Sequence, residues 1–364
     1  MALTKVKSSN VDDQVIGRRN MIYNGKMQVS QRNGTGNTAV GWSNADHYPA
    51  DRWKLIGSPL GNWAFTIGNR TDLTLPPGFG NAVLLECTTA DTSITQGEYI
   101  IFQHKFEGSD VQHLCYGTSS AKEITLSFYI YSTSTGTYLA ELETGSYING
   151  IKFTIDQANT WERKTITFTG NTAASIANNN GLGLSLGIWF AAGNTYQGGT
   201  FVSNTWRNSY ANNTRAAGIS NLASSTSNDL YITGVQLEVG DAATPFEHRS
   251  LAEELTLCQR YFLRLVQPHM SGIAVNSSTT STNVGRIGTI LPTTMRAIPS
   301  CSLTAGLNVY QGSNVGQTTG VLAQYNTVHA IEFDFSSNMT NDEAGRAAVT
   351  YQGGTAKINI DAEI

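Results

Sequence analysis

Glu123-Ile124-Thr125-Leu126-Ser127-Phe128-Tyr129-Ile130 is the stretch on which the fold turns. Ile124, Leu126, Phe128 and Ile130 recur at every second position, which is the period of a half-buried β-strand and not of a helix. Outward from it the same signals repeat over Asn81–Cys87, Tyr99–Phe106, Glu123–Tyr131, Lys164–Thr169, Leu182–Phe190 and Asp229–Val239. Turn clusters such as Pro76-Pro77-Gly78 and Asn178-Asn179-Asn180-Gly181 separate the runs. Many short strands with regular turn punctuation predict an all-β chain with a jelly-roll β-sandwich over residues 20–249. Gly181-Leu182-Gly183 opens like a dinucleotide-binding loop, but no helix pattern follows it, so it reads as a Gly-rich strand.

At Ser250 the period changes. Ser250 reads as an N-cap with Glu253 at the third helical position, and Leu251, Leu255, Cys258 and Phe262 share one helical face. The pattern predicts a helix over 251–264, ended by Pro268, within a connecting element of residues 250–268. Its apolar face would pack between domains or pair with copies of itself on a symmetry axis. Strand patterning returns at Val284–Leu291, Ala330–Phe335, Arg346–Tyr351 and Ala356–Ile364, predicting a second, smaller β-sandwich domain over 269–364. Residues 1–19 are polar, carry both charges, and read as an arm.

Composition narrows the function. The chain has 364 residues, of which 14% are charged, against about 25% in ordinary domains. Ser, Thr, Asn and Gly replace the missing charge, which suits strands and polar turns. The net charge is −4 and there is no dense Lys/Arg block, so a nucleic-acid partner is not expected. No apolar run reaches the length of a membrane span, and Met1 to Lys7 lacks the apolar core of a signal peptide. Cys87, Cys115, Cys258 and Cys301 form no CxxC pair and have no His at zinc spacing, so they read as free, buried thiols, with a Cys87–Cys115 disulfide as the unsupported alternative.

Neither catalysis nor a cofactor is expected. Asp12-Asp13 lies in the arm, and Glu253-Glu254 lies in a helix first turn, where acids suit the dipole. His47, His104, His113, His248, His269 and His329 show no HxH or HExxH spacing, and no GxSxG occurs. Glu98, Glu141, Glu143 and Asp156 lie in or near strands and keep a polysaccharide depolymerase open as a third reading. Aromatic residues are the better lead. Trp189, Phe190, Tyr196, Trp206 and Tyr210 are interleaved with Asn194, Gln197, Asn204, Asn208 and Asn212. Aromatic faces stack on sugar rings and amides bond hydroxyls, so Trp189, Tyr196, Trp206 and Tyr210 are the glycan-binding candidates. The competing reading puts Trp189 in the core and Trp206 in packing or a trimer contact. Trp53 and Trp161 read as core.

Three patterns, taken in order, resemble a known group. The first is Asn20-Met21-Ile22-Tyr23-Asn24-Gly25-Lys26-Met27-Gln28-Val29-Ser30-Gln31-Arg32, followed by Ala50-Asp51-Arg52-Trp53. The second is Tyr231-Ile232-Thr233-Gly234-Val235-Gln236-Leu237-Glu238-Val239-Gly240, running into Ala243-Thr244-Pro245-Phe246-Glu247. The third is Glu254-Leu255 with Cys258-Gln259-Arg260-Tyr261-Phe262, then Leu291-Pro292 and Met295-Arg296-Ala297-Ile298-Pro299. Over about residues 20–300 the set resembles phage tail-fibre-like virion structural proteins whose first domain is similar to family 4/9 carbohydrate-binding modules. Met1 to Val6 looks like the start of phage tailspike and fibre chains. The resemblance implies a virion protein made in the host cytoplasm, a homotrimer, an arm (1–19) bound to other virion proteins, and attachment to host-surface polysaccharide. A capsid or tail decoration protein that only holds neighbours together is the alternative. Such modules often hold a calcium ion on acidic residues; here Lys26, Thr233 and Gly234 stand at those positions, so no metal is expected.

Overall fold

The structure is a computed structural model that describes residues 18–34, 36–41, 47–57, 63–71, 74–208, 212–266, 270–273, 283–303, 308–311, 314–323, 327–337, 346–350 and 357–364. The chain divides into two compact units, Met1–Glu254 with Ile364, and Leu255–Glu363.

The first unit contains β1 (Asn37–Gly41), β2 (His47–Ala50), β3 (Trp53–Gly57), β4 (Ala64–Arg70), β5 (Ala82–Thr89), β6 (Tyr99–Glu107), β7 (Ile124–Ser132), β8 (Gly136–Thr144), β9 (Tyr147–Ile155), β10 (Glu162–Phe168), β11 (Leu182–Ala192), β12 (Arg207–Asn208) and β13 (Asp229–Val239). They form two antiparallel sheets, ordered β1-β4-β5-β13-β7-β10 and β12-β9-β8-β11-β6-β3-β2. The chain passes repeatedly from one sheet to the other, the path of a jelly roll. Alternation decides which face is buried. Ile124, Leu126, Phe128 and Ile130 of β7 meet Leu184, Leu186, Ile188 and Phe190 of β11 in a single core, and none of the eight is exposed. Burying side chains of this size stabilises the fold by about 1.5–3 kcal/mol each. Trp53 lies in the same core, stacked on Phe102 with ring centroids 4.7 Å apart.

The opening and closing motifs of the sequence come together. Met21 N–H donates to Leu237 O at 2.9 Å and Val235 N–H to Gly25 O at 2.9 Å, so residues 20–25 lie along β13. Asn24 has φ +58°; its side-chain amide donates to Val29 O (2.8 Å) and Asp51 O (2.9 Å), and its Oδ1 accepts from Val29 N–H (3.0 Å). At Gly234, φ is +61° and the pairing with β7 slips between Thr233 and Gln236, a bulge that only glycine relieves. Lys26 Nζ donates to Arg249 O at 2.8 Å, and Thr233 Oγ1 to Asn81 O at 2.7 Å.

His104 on β6 is buried in this core, its ring 5.0 Å from Trp53 and 4.6 Å from Phe106. Burial, and then the Arg52 charge, hold its pKa well below the usual histidine value. The unfolded chain, with an ordinary value near 6.5, therefore takes up the proton first. The stabilisation is complete above about pH 6.5 and is lost as pH falls below it, by up to about 1.4 kcal/mol per pH unit. Urea unfolding at pH 7 and 5.5 is expected to show a larger loss in the wild type than in His104→Gln, the remainder coming from His113 and His248, which are also held below the usual histidine value.

The second unit contains β14 (Phe262–Val266), β15 (Met270–Ile273), β16 (Asn283–Ile290), β17 (Ser300–Leu303), β18 (Asn308–Gln311), β19 (Asn314–Ala323), β20 (Ala330–Ser337), β21 (Arg346–Thr350) and β22 (Lys357–Asp361). Its antiparallel sheets run β14-β22-β17 and β15-β21-β18-β19-β20-β16. It is the smaller all-β part that strand patterning predicts.

The helix is shorter than its periodicity implies. It spans Leu251–Gln259, and Phe262 belongs to β14, paired with Asp361 of β22. Phe262–Val266 reads Phe-Leu-Arg-Leu-Val, whose composition does not decide against a helix, and the strand partner overrides the helical spacing. Ser250 does cap the helix, accepting Glu253 N–H at 3.2 Å. The expected apolar face is incomplete: Leu251 is 57% exposed, while Cys258 and the charged Glu254 are buried. Glu254 is buried because its Oε2 accepts Asn24 N–H at 2.7 Å and its Oε1 lies 3.6 Å from Arg249.

All four cysteines are free thiols; Cys87 and Cys258 are buried, and Cys115 and Cys301 are half-buried. Among the described residues no helix is long and apolar enough to cross a membrane, and no three His, Cys, Asp or Glu side chains are grouped to hold a metal ion. Except for Arg18 and Arg19, the arm expected over 1–19 lies outside the described residues.

Candidate functional site

The strands that send Leu184, Leu186 and Ile188 into the core send Ser185, Gly187 and Trp189 to the opposite face of the seven-stranded sheet. Register then sets their neighbours. Trp189 stands opposite Ile101 of β6 and Leu139 of β8, Gly187 opposite Gln103 and Glu141, and Ser185 opposite Lys105 and Glu143. Ile56 of β3 stands opposite Ile101. After β11 the chain makes one helical turn, Asn194–Gln197, and the loop that follows is tied to it by Ala216 N–H to Tyr196 O at 2.9 Å. Trp189, Ile101, Leu139, Ala216 and Ile219 form a small second core here, with Tyr99, Tyr196 and Phe201 packed against it.

The result is a cleft of about 570 Å³, counting its open mouth, lined by Tyr99, Gln103, Glu141, Glu143, Trp189 and Arg215 among others. The rings of Trp189 and Tyr196 meet edge to face at 5.3 Å, and Tyr99 and Tyr196 at 5.8 Å. Gly187 keeps the floor low: a Cβ there would come within 3.1 Å of Ile101 Cγ2 and 3.7 Å of Trp189 Nε1.

One guanidinium organises the polar wall. Arg215 Nε donates to Glu141 Oε2 at 2.8 Å, and its Nη2 donates both to Glu141 Oε1 at 2.6 Å and to Glu143 Oε2 at 2.8 Å. Its Cζ lies 5.0 Å from the Trp189 ring centroid, and Trp189 Nε1 donates to Glu141 Oε1 at 3.1 Å. Burial pushes the Glu141 carboxyl above its ordinary value, and the Arg215 charge opposes that shift. Burial also works against the Arg215 charge, but the two carboxylates more than offset it. Among the described residues, the side chains of Gln103 and Ser185 and the hydroxyls of Tyr99 and Tyr196 have no hydrogen-bond partner. They are donors and acceptors available to a ligand.

Of the four glycan-binding candidates, the structure brings Trp189 and Tyr196 together. Trp189 is the buried floor of the cleft, outside the sandwich core. Trp206 is not brought to them and takes the packing alternative: its indole N–H donates to Thr169 O at 2.7 Å, its ring edges Tyr116 at 5.6 Å, and it packs against the sandwich core rather than lining the cleft. Tyr210 lies outside the described residues. Trp53 is core, but Trp161 is not; it is half-buried, with its indole N–H donating to Thr74 O at 2.9 Å. Sequence reading misses Tyr99, Gln103 and Arg215. The alternation in Tyr138-Leu139-Ala140-Glu141-Leu142-Glu143 places both carboxylates on one face, but no local signal brings Arg215 to them.

The sequence matches no protein-family profile, and no curated protein is similar to it. Several solved structures are similar in part. The enzymatically active domain of tailspike protein 4 of bacteriophage CBA120 is 13% identical with a TM-score of 0.32, over 60% of this chain and 21% of that one, so this chain spans about a fifth of the tailspike's length. The family 11 carbohydrate-binding module from Clostridium thermocellum, in complex with a β-1,3-1,4-mixed-linked tetrasaccharide, is 11% identical with a TM-score of 0.29, over 58% of this chain and 99% of that one. The carbohydrate-binding and catalytic modules of xylanase 10B from the same organism, in complex with xylohexaose, are 10% identical with a TM-score of 0.28, over 60% of this chain and 31% of that one. None of the three is close enough to transfer a ligand or an activity to this chain.

Proposed function

We propose that this chain is a non-enzymatic, glycan-binding structural protein of a phage particle, part of its tail-fibre or surface apparatus. The observation that carries the binding half is the cleft on the outer face of the seven-stranded sheet. Half-exposed Tyr99 and Tyr196 rings over the Trp189 floor offer stacking surface for sugar C–H faces. Gln103, Ser185 and the two tyrosine hydroxyls stand ready for sugar hydroxyls. Hydrolysis fits less well. A glycosidase needs one carboxyl protonated and the other free to attack or to activate water. Here a single Arg215 nitrogen bonds both Glu141 and Glu143, so each carboxyl is engaged by the guanidinium rather than free to act on a bond. The virion half rests on the ordered sequence motifs. In this reading residues 1–19 engage neighbouring virion proteins, and a homotrimer made in the host cytoplasm presents three weak sites whose avidity exceeds each affinity.

Affinity electrophoresis through host-surface polysaccharide tests the site. Tyr196→Ala is expected to weaken binding about tenfold, the worth of one ring contact, with the melting temperature lowered by only about 2–4 °C for the lost ring packing and no shortening of the polysaccharide. Shortening by the wild type would replace this reading with a depolymerase. Absence of retardation, with arm truncation detaching the protein from particles, would replace it with a decoration protein.

A further inference from the structure

The opposite, six-stranded sheet carries a second aromatic surface that the cleft does not use. Tyr231 of β13 stands opposite Tyr131 of β7, their rings 5.6 Å apart, and Tyr131 lies 5.7 Å from Trp161, the residue preceding β10. The alternate positions Leu230 and Ile232 point into the core, so this row faces outward. All three rings are half-buried, and two are held in place: Trp161 by Thr74 O, and Tyr131 by its hydroxyl donating to Asn159 Oδ1 at 3.2 Å.

Asp229, two residues before Tyr231, shares that face and stands directly opposite Glu86 of β5. Both are half-buried, and among the described residues neither carboxylate has a cation or a hydrogen-bond donor. Like charges paired across strands are destabilising, and among the described residues no cation offsets them. Burial and the Glu86 charge raise the Asp229 carboxyl. An occupant bearing positive charge would relieve the pair.

We infer that this face binds a glycan with free amino groups, the ammonium between Glu86 and Asp229 and the sugar rings along Tyr231, Tyr131 and Trp161. The arrangement discriminates between cationic ligands. A lone quaternary ammonium is held by rings caged around one point; here the rings run in a row with the carboxylates at one end, which suits an extended chain of amino sugars. The site is separate from the cleft and does not depend on it.

Calorimetric titration of the full chain at pH 6.5 with glucosamine oligomers and their N-acetylated counterparts tests this. The amino form is expected to bind at least about tenfold more tightly. Trp161→Ala and Glu86→Gln are each expected to weaken it about tenfold. Glu86→Gln removes the like-charge contact, so its Tm is expected to rise by about 1–2 °C while binding falls, which separates lost binding from lost folding. Equal affinity for the N-acetylated oligomer, or unchanged binding in both variants, overturns the inference. Binding that falls with Tyr196→Ala instead places the amine in the cleft and overturns it too. Tighter binding of a lysine-rich peptide than of the oligosaccharide overturns the glycan in favour of a protein partner.

Discussion

Arg215→Met is expected to lower the free energy of unfolding by about 3–5 kcal/mol, the usual effect of removing one partner from a buried ion pair. The Glu141 side chain is 4% exposed and that of Arg215 is 14% exposed. Without the guanidinium, Glu141 keeps, among the described residues, only Trp189 Nε1–H as a donor. It must then stay charged with only the Arg207 charge nearby and no guanidinium bonded to it, or take up a proton, and both cost stability. Methionine keeps much of the apolar stem against Trp189, so the loss measures the charge more than the packing. Adding Glu141→Gln removes the stranded charge and is expected to restore a large part of the stability, a coupling that a double-mutant cycle reads directly. Urea unfolding checks both; a loss under about 1 kcal/mol in the single variant would mean that the pair is solvated and the cleft wall unorganised.

Asn24→Ala is the second large effect, also about 3–5 kcal/mol, from two causes that add. Alanine at φ +58° meets the left-handed backbone penalty of about 1–2 kcal/mol. Removing the amide also strands Val29 O, Asp51 O and Val29 N–H inside the fold, at about 1–3 kcal/mol for each group that stays unpaired. Asn24→Gly separates the causes. It relieves the backbone and keeps the hydrogen-bond loss, so it is expected to be more stable than Asn24→Ala by about 1 kcal/mol. If the two variants unfold at the same urea concentration, the backbone contributes nothing and the amide carries the whole effect.

What could be read from the sequence depended on whether a residue's neighbours are local. β7 and β13 are legible because one face is core and the other mostly polar, so period two stands out. β8 is harder to see: Leu139 is apolar on the outward face, because the loop after β11 covers it, and the alternation blurs. Phe262 has true helical spacing from Cys258, yet β22, almost a hundred residues later, offers it a strand partner. The site divides the same way. Trp189 and Tyr196 are close in sequence and in space, so an aromatic, Asn-rich stretch pointed to them. Trp206 belongs to the same stretch but bonds Thr169 instead, since nearness along a loop does not fix direction. Tyr99, Gln103 and Arg215 join from another strand and a distant loop turn, and only register and the fork on Glu141 reveal them.

The pairing of the opening and closing motifs has a mechanical consequence. Arg249 donates to Asn20 O and, at 2.8 Å, to Ile22 O, while Asn20 N–H donates to Glu247 at 2.6 Å. The chain therefore enters and leaves the jelly roll at one clasp. A pull applied to residues 18 and 250 is carried first by these few bonds, across a short span, and the two sheets bear no load until the clasp parts.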